Sequence, residues 1–179
     1  THAAYQKVGG VTGGLEAWAD RAYRGIPSER RGLVRHVLTY LVHLGEEKPK
    51  LPDTRRRVGL RDLIPADGEA DQVQSVIQAL TDARLLVTHE SAVEITHEIL
   101  LRSWPQLREW LEDDRDNLRL REDVSDEARK WDVANRDESQ LTHRGARLDL
   151  ACGMSQNPRY PLNMTEKAYL EACVALRER

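Results

Sequence analysis

The chain has 179 residues, which is room for one compact domain with an appendage or for two small domains. Its 27 basic and 30 acidic side chains leave a formal net charge of −3, and this balance excludes a polycationic protein that coats nucleic acid. Hydrophobic residues make up 40% and Phe is absent, so the core must consist mainly of Leu, Val, Ile and Ala with a few Trp residues, which predicts a mainly α-helical protein.

The first part of the chain is predicted to contain a glycine-rich loop and two helices. The run VGGVTGG at 8–14 has too many glycines for a helix interior, so a loop is expected there, followed by a short helix at 15–23. Ser28 is placed to cap a second helix, which is predicted to end near Gly45. Apolar residues recur in pairs every four positions of this helix: Leu33, Val34, Val37, Leu38, Leu41 and Val42.

The middle of the chain follows the element order of a winged helix. A polar loop at 46–52 precedes TRRRVGL at 54–60, which is typical of a short strand that leads into a helical turn. A helix is predicted at 71–83. Two β-type runs follow at 85–88 and 93–96, and the tetrapeptide HESA between them gives hairpin spacing. Helix, helix, strand, helix and hairpin is the order of a winged helix, so the predicted fold is mainly α with a small β-hairpin or sheet.

From Ile99 onward the sequence is predicted to form a helical arm. The tripeptide SWP at 103–105 marks a restart or kink in an apolar helical stripe. Acids and bases alternate over 112–136, which predicts a solvated helix with one narrow apolar seam. A short helix around 141–150 and a capped last helix from Thr165 follow. The seam consists of Leu118, Leu120, Val124, Ala128 and Trp131.

The sequence also predicts a location, the state of the two cysteines and whether the chain is part of a longer protein. No window has eighteen consecutive apolar residues and the first residues do not resemble a signal peptide, so a cytoplasmic location without membrane contact is expected. Cys152 and Cys173 lack CxxC spacing, which favours two reduced thiols. The chain begins with Thr1 rather than Met, and we therefore expect a segment of a longer protein.

The motifs that would indicate catalysis or metal binding are missing from the sequence. No GxxxxGK[ST] occurs, and the glycines at 9–14 lack the Lys and the preceding strand of a phosphate-binding loop. His97 begins a near match to a zinc-protease helix, but the second His would have to replace Leu101. His36 and His43 lie about 10 Å apart on one predicted helix, too far to share a metal ion. A non-catalytic region without a metal site is expected.

A winged helix raises the question of DNA binding, and the charges of this one disfavour it. The helix that would enter the major groove, at 71–84, has a net charge of −1. The hairpin at 85–96 carries Glu90 and Glu94 without any Lys or Arg. One basic cluster stands nearby: Arg55, Arg56, Arg57 and Arg61. These arginines either pair with local acids at a strand edge and turn, or contact an acidic partner, phosphate or nucleic acid. A DNA-binding winged-helix transcriptional regulator is therefore the alternative function.

A third interpretation is an interaction scaffold. In it Trp104, Trp110 and Trp131 form a partner surface instead of core. Their helical spacing favours the core.

His97 stands where the second hairpin strand gives way to a helix. The first turn of a helix has free backbone N–H groups and the positive end of the helix dipole, a setting suited to phosphate, and an imidazole there would add a donor. The other interpretation is a capping or partly buried histidine, and the residues alone favour it.

Two long segments resemble the region that follows the ATPase module in bacterial STAND signal-transduction NTPases. They are VEITHEILLRSWPQLREWLEDDRDNLRLRE at 93–122 and DEARKWDVANRDESQLTHRGARLDLA at 126–151. VGGVTGGLEAWADRAY at 8–23 looks like the end of the lid region of these proteins. LTDARLLVT at 80–88, followed by VEITHE, looks like the helix and wing of their winged helix.

The resemblance implies a domain order and a set of partners. It divides the chain into the end of a lid region or linker at 1–14, a winged-helix domain at 15–98 and a helical arm at 99–179. An ATPase module upstream would bind ATP or ADP with Mg²⁺, and a sensor such as a WD-repeat propeller would follow downstream. The fragment itself would hold no cofactor, and activation would produce a homo-oligomer.

The resemblance also implies a mechanism for His97. In STAND proteins of the plant-resistance and apoptosis type, the histidine of a Met-His-Asp motif contacts the β-phosphate of ADP and holds a closed monomer. Thr96, His97 and Glu98 occupy the three positions here. His97 would therefore sense the nucleotide phosphate, with Glu98 as an orienting or hinge-side acid, and the region would relay the ADP or ATP state to a downstream sensor or effector.

Overall fold

The computed structural model describes the backbone of residues 10–179 and side chains from residue 13. The predicted fold class is confirmed, because this part of the chain is mainly α-helical and has two small antiparallel sheets. The helices are α1 (Gly10–Arg24), α2 (Arg31–Tyr40), α3 (Ala70–Asp82), α4 (Leu100–Ser103), α5 (Pro105–Asp113), α6 (Arg115–Val133), α7 (Gly145–Ser155) and α8 (Met164–Glu178). The strands are β1 (Val42–His43), β2 (Thr54–Arg55), β3 (Val58–Gly59), β4 (Leu86–His89) and β5 (Ala92–Ile95).

The chain forms two compact units whose bounds differ from the division made on the sequence. The first unit comprises 1–60 and 71–113, of which the structure describes 10 onward, and the second comprises 61–70 and 114–179. Helices α4 and α5 thus belong to the first unit, although the sequence suggested that the arm begins at Ile99. The reason is an aromatic cluster, in which the Tyr23 ring lies edge-on to Trp104 and Trp110 with centroid distances of 6.3 and 5.3 Å.

Helix α1 begins earlier than predicted. The expected loop at 8–14 is wrong from residue 10 onward, because the helix starts at Gly10 and runs through Gly14. Residues 8 and 9 of that loop lie outside the described part of the chain. Each interior Gly costs a helix about 1 kcal/mol relative to Ala. Packing opposes this cost, since Ala19 is fully buried and the Trp18 indole N–H donates to the Ala83 carbonyl.

Helix α2 is shorter than the sequence suggested. Ser28 does not cap it, because Ser28–Arg30 is a turn of 3₁₀-helix and α2 begins at Arg31 without a side-chain cap. The helix ends at Tyr40 rather than near Gly45. The apolar pattern continues past this end because Leu41, Val42 and Leu44 are also buried, so the periodicity does not reveal where the helix gives way to a strand.

The strands form two antiparallel sheets, both in the first unit. In the smaller sheet β1 pairs with β2 in the register Val42↔Arg55. In the larger sheet the order is β3-β5-β4. The strand predicted at 54–60 is therefore split between the two sheets. The hairpin of β4 and β5 is confirmed, with Glu90 at positive φ in a turn of two residues rather than four.

In the second unit α6 packs against both α7 and α8. The predicted seam is largely confirmed, since Leu118, Val124, Ala128 and Trp131 are buried on α6 and Leu120 is half-buried. The last helix starts at Met164 rather than at Thr165. Asn163 and Glu166 cap it in a reciprocal capping box, so the cap lies two residues before the predicted start.

The interpretation of three tryptophans as a partner surface is wrong. Trp104, Trp110 and Trp131 are 1%, 6% and 5% exposed, so all three are core residues. The two cysteines are free thiols, as expected. No helix of the described chain combines the length and the apolar character needed to cross a membrane.

Candidate functional site

His97 lies just past the end of the hairpin. The ladder of β4 and β5 ends with the pair Leu86↔Ile95, and the Thr96 N–H continues it by donating to the Leu85 carbonyl at 3.0 Å. His97 is the next residue, and it is exposed. An imidazole at this position is accessible to a ligand or to another domain.

Three backbone amides of the short helix after His97 are already hydrogen-bonded. The N–H groups of Leu100, Leu101 and Arg102 donate to the carbonyls three residues before them, at 3.0 to 3.1 Å. Helix α4 is also only four residues long. These three amides are therefore not free for a phosphate, whereas the side chain of His97 is exposed.

Arg55 and Glu98 brace the turn that carries His97. Glu98 Oε1 accepts a hydrogen bond from the Arg55 backbone N–H at 3.1 Å. The Arg55 guanidinium Nη1 donates in return to the carbonyls of Ile95 and Thr96, at 3.1 and 2.7 Å. Glu98 thus anchors the turn to β2. The sequence could not reveal this link, because about 40 residues separate the partners and no local pattern marks them.

Thr96 precedes His97 and is partly buried. Its hydroxyl oxygen is buried without a hydrogen-bond partner among the described residues. A buried hydroxyl left unsatisfied costs about 1–3 kcal/mol. The position therefore suits an apolar side chain.

The four arginines of the predicted basic cluster do not form one free patch. Arg56 Nε donates to the Tyr40 carbonyl at 2.8 Å, and its guanidinium lies 4.8 Å from the centre of the Tyr40 ring. Arg57 pairs with Glu94 at 3.5 Å. Arg61 is exposed and belongs to the second unit, whereas Arg55 to Arg57 belong to the first. Of the three neighbouring arginines, Arg57 pairs with a local acid as the first interpretation expects, whereas the side chains of Arg55 and Arg56 donate to backbone carbonyls.

The hairpin surface is acidic or neutral. The Glu94 carboxylate accepts from His89 at 3.2 Å as well as from Arg57. Glu90 is exposed at the tip, and α3 carries Asp71 and Asp82 without a basic residue. This charge distribution would repel a phosphate backbone.

His36 and His43, which the sequence put on one helix, lie on different elements. His36 is buried in α2, with its ring 5.8 Å from that of Tyr40, and His43 is exposed in β1. Within the described residues, no group of three or more His, Cys, Asp or Glu side chains is placed to hold a metal ion.

Sequence reasoning missed a cleft of about 390 Å³ beside α4 and α5. Its charged lining residues are Asp53, Arg102, Arg108 and Glu112. Two acids and two bases leave no net charge, so the cleft has no evident preference for an anion.

A buried polar cluster in the second unit was also missed. His143 is 1% exposed, and its Nδ1 lies 2.8 Å from the Tyr169 hydroxyl while its Nε2 lies 3.1 Å from Asp123. Arg147 makes a bidentate pair with Asp123. Burial lowers the pKa of His143 and raises the pKa values of Tyr169 and Cys173. The phenol, the thiol and the neutral imidazole are thus stable in their uncharged forms, which suits a structural role better than a nucleophilic one.

In a comparison with protein families, the model of a family described as Novel STAND NTPase 1 matches residues 1–139 of the chain. The match includes the whole first unit, the turn at His97 and helix α6. Comparison with curated proteins and with solved structures gives no significant match.

Proposed function

Because the chain belongs to the Novel STAND NTPase 1 family, we propose that it is a non-catalytic regulatory region of a STAND NTPase. In this proposal His97 contacts the phosphate of a nucleotide bound to an upstream ATPase module. The region then relays the ADP or ATP state to a downstream sensor or effector.

The first unit has the element order expected of a winged helix. Helices α1 and α2 precede α3, and the hairpin of β4 and β5 follows it as the wing. Strand β3 completes a three-stranded antiparallel sheet with the hairpin. This order supports the proposal that the first unit is the winged helix of the switch.

The observation that carries the proposal is the position of His97. It is exposed just past the wing, and the carbonyls of Ile95 and Thr96 before it accept hydrogen bonds from Arg55. A charge-assisted hydrogen bond to phosphate contributes about 1.5–3 kcal/mol. One such contact would shift a two-state equilibrium by roughly tenfold to a hundredfold, provided that it forms in only one of the states.

The nucleotide and the partners belong to the proposed whole protein. ATP or ADP with Mg²⁺ would bind the upstream ATPase module, since the sequence of this chain contains no GxxxxGK[ST]. The ADP form would be a closed monomer, and exchange for ATP would release the winged helix and permit a homo-oligomer.

The test is His97→Ala in the full-length protein, with oligomeric state as the readout. We expect the variant to oligomerise in excess ADP, where the wild-type protein stays monomeric, because the contact that favours the closed state is lost. The matched control is His89→Ala, which removes another exposed histidine of the same hairpin and should stay monomeric. A His97→Ala protein that remains monomeric in ADP would count against the proposal.

A further inference from the structure

We propose that Arg55 is a positioning residue for His97, an inference that rests on the proposed function of that histidine. The sequence grouped Arg55 with a basic patch for an acidic partner or nucleic acid. Its contacts instead point to a role inside the molecule, where it holds the turn that presents the imidazole.

The hydrogen bonds of Arg55 fall on both sides of His97. Its guanidinium donates to the carbonyls of Ile95 and Thr96, the two residues immediately before His97. Its backbone N–H donates to the carboxylate of Glu98, the residue immediately after. One residue therefore holds the chain on both sides of the histidine. The direction of a side chain follows its own backbone dihedral angles, so holding the flanking residues restricts where the imidazole can point.

The side chain of Arg55 binds backbone carbonyls rather than a carboxylate. Arg57, two residues along, pairs with the carboxylate of Glu94, as a surface arginine commonly does. The side-chain bonds of Arg55 go to backbone carbonyls instead, and the shorter of them measures 2.7 Å. Both bonds come from the single nitrogen Nη1. An ammonium group can offer several donors from one nitrogen, so Lys at this position should retain part of the function.

Arg55 also connects two sheets of the first unit. Arg55 lies on β2, which pairs with β1 and not with the strands of the wing sheet. Its bonds thus connect the small sheet after α2 to the end of the wing. A phosphate contact made by His97 is thereby tied to the packed helices of the first unit rather than to the hairpin alone.

The experiment is a double-mutant cycle on the dissociation constant of ADP in the full-length protein. The variants are Arg55→Ala, His97→Ala and their combination, with Arg55→Lys as the conservative change and Arg57→Ala as the control. If Arg55 acts through His97, Arg55→Ala should weaken ADP binding about threefold to tenfold when His97 is present and less than about twofold when it is absent. Arg55→Lys should restore part of the affinity, and Arg57→Ala should leave it unchanged.

An equal loss of affinity from Arg55→Ala in both backgrounds would overturn the inference, because it would mean that Arg55 acts independently of the histidine. Amide hydrogen exchange over residues 95–99, measured on the same proteins, separates the two proposals. Faster exchange in Arg55→Ala than in Arg57→Ala supports the brace, and equal exchange overturns it. Unchanged ADP affinity in His97→Ala would instead overturn the proposed phosphate sensing, whatever the exchange measurement gives.

Discussion

Gly45 illustrates how a single residue shapes the small sheet that carries Arg55. A Cβ atom at this position would lie 1.9 Å from the Leu51 carbonyl oxygen and 2.6 Å from the backbone of Pro52. The Gly45 N–H also donates to the Asp53 carboxylate at 2.8 Å. The loop between β1 and β2 can therefore close only around a residue without a side chain.

We predict that Gly45→Ala lowers the free energy of unfolding by about 1–3 kcal/mol, because the backbone must move away from the added methyl group. Chemical denaturation monitored by circular dichroism measures this change. Gly32→Ala is the matched control, since Gly32 lies within α2 with no atom near the added Cβ. That variant should gain about 0.5–1 kcal/mol in stability. Equal stabilities of the two variants would contradict the steric account of Gly45.

At the scale of single residues the sequence pointed to His97 and Glu98 but not to the part that Arg55 plays beside them. His97 could be found because it follows a recognisable β-run and because the resemblance to STAND proteins predicts a phosphate-contacting histidine there. Arg55 could not, because its partners lie in another element and a run of three arginines suggests a surface patch. Whether His97 senses phosphate stays a prediction.

At the scale of elements, the helices and strands that show a clear apolar period were predicted well. Helix α3 and the hairpin differ from the prediction by only one or two residues at their ends. The ends that were misplaced are those where apolar residues continue through a change of structure, as between α2 and β1. The start of α1 was misplaced because tertiary packing outweighs the low helix propensity of glycine.

The charges of α3 and the wing lead to a prediction about DNA. Neither element carries a basic residue, and Arg55 and Arg56 are held in local contacts. We therefore expect this chain to bind a double-stranded DNA oligomer more weakly than about 10⁻⁴ M, the weak end of ordinary non-specific binding. Fluorescence anisotropy at about 50 and about 200 mM salt measures it. Tight binding that falls steeply with salt and is lost in Arg57→Ala would support the DNA-binding regulator instead.

At the scale of the whole molecule, the family match and the two units have different extents. The match ends at residue 139, and therefore α7 and α8 of the second unit lie beyond it. The boundary between the units could not be predicted from the sequence, because the spacing of Trp104 and Trp110 fits the arm as well as the first unit, and only their contact with Tyr23 decides between them. The buried cluster around His143 was equally invisible, since its members come from three helices and the loop before α7.

This cluster should make the stability of the second unit depend on pH. Burial is the main cause that lowers the pKa of His143, and Arg147 lowers it further, whereas Asp123 and Glu127 act in the opposite sense with less effect. The other charged or titratable groups around the histidine are Arg144, Arg177, Tyr169 and Cys173. Because the folded pKa lies below 6.5, the unfolded chain takes up the proton first as the pH falls. Stability is therefore present above about pH 6.5 and decreases below it, by at most about 1.4 kcal/mol per pH unit.

We predict that His143→Asn flattens this dependence between about pH 7 and about pH 5, because Asn can keep a hydrogen bond to the Tyr169 hydroxyl without titrating there. Thermal unfolding at several pH values measures it. The lowered pKa of Glu127 acts at more acidic pH, since its ordinary value is 4.5. Parallel curves for wild type and His143→Asn would show that another group causes the acid sensitivity.

The central claim is that His97 contacts the nucleotide phosphate. The dissociation constant of ADP for the full-length protein tests it most directly, measured side by side for the wild type, His97→Ala and His89→Ala. We expect His97→Ala to bind ADP roughly tenfold to a hundredfold more weakly, as the loss of one charge-assisted hydrogen bond requires, and His89→Ala to match the wild type. Equal dissociation constants for all three proteins would contradict the claim.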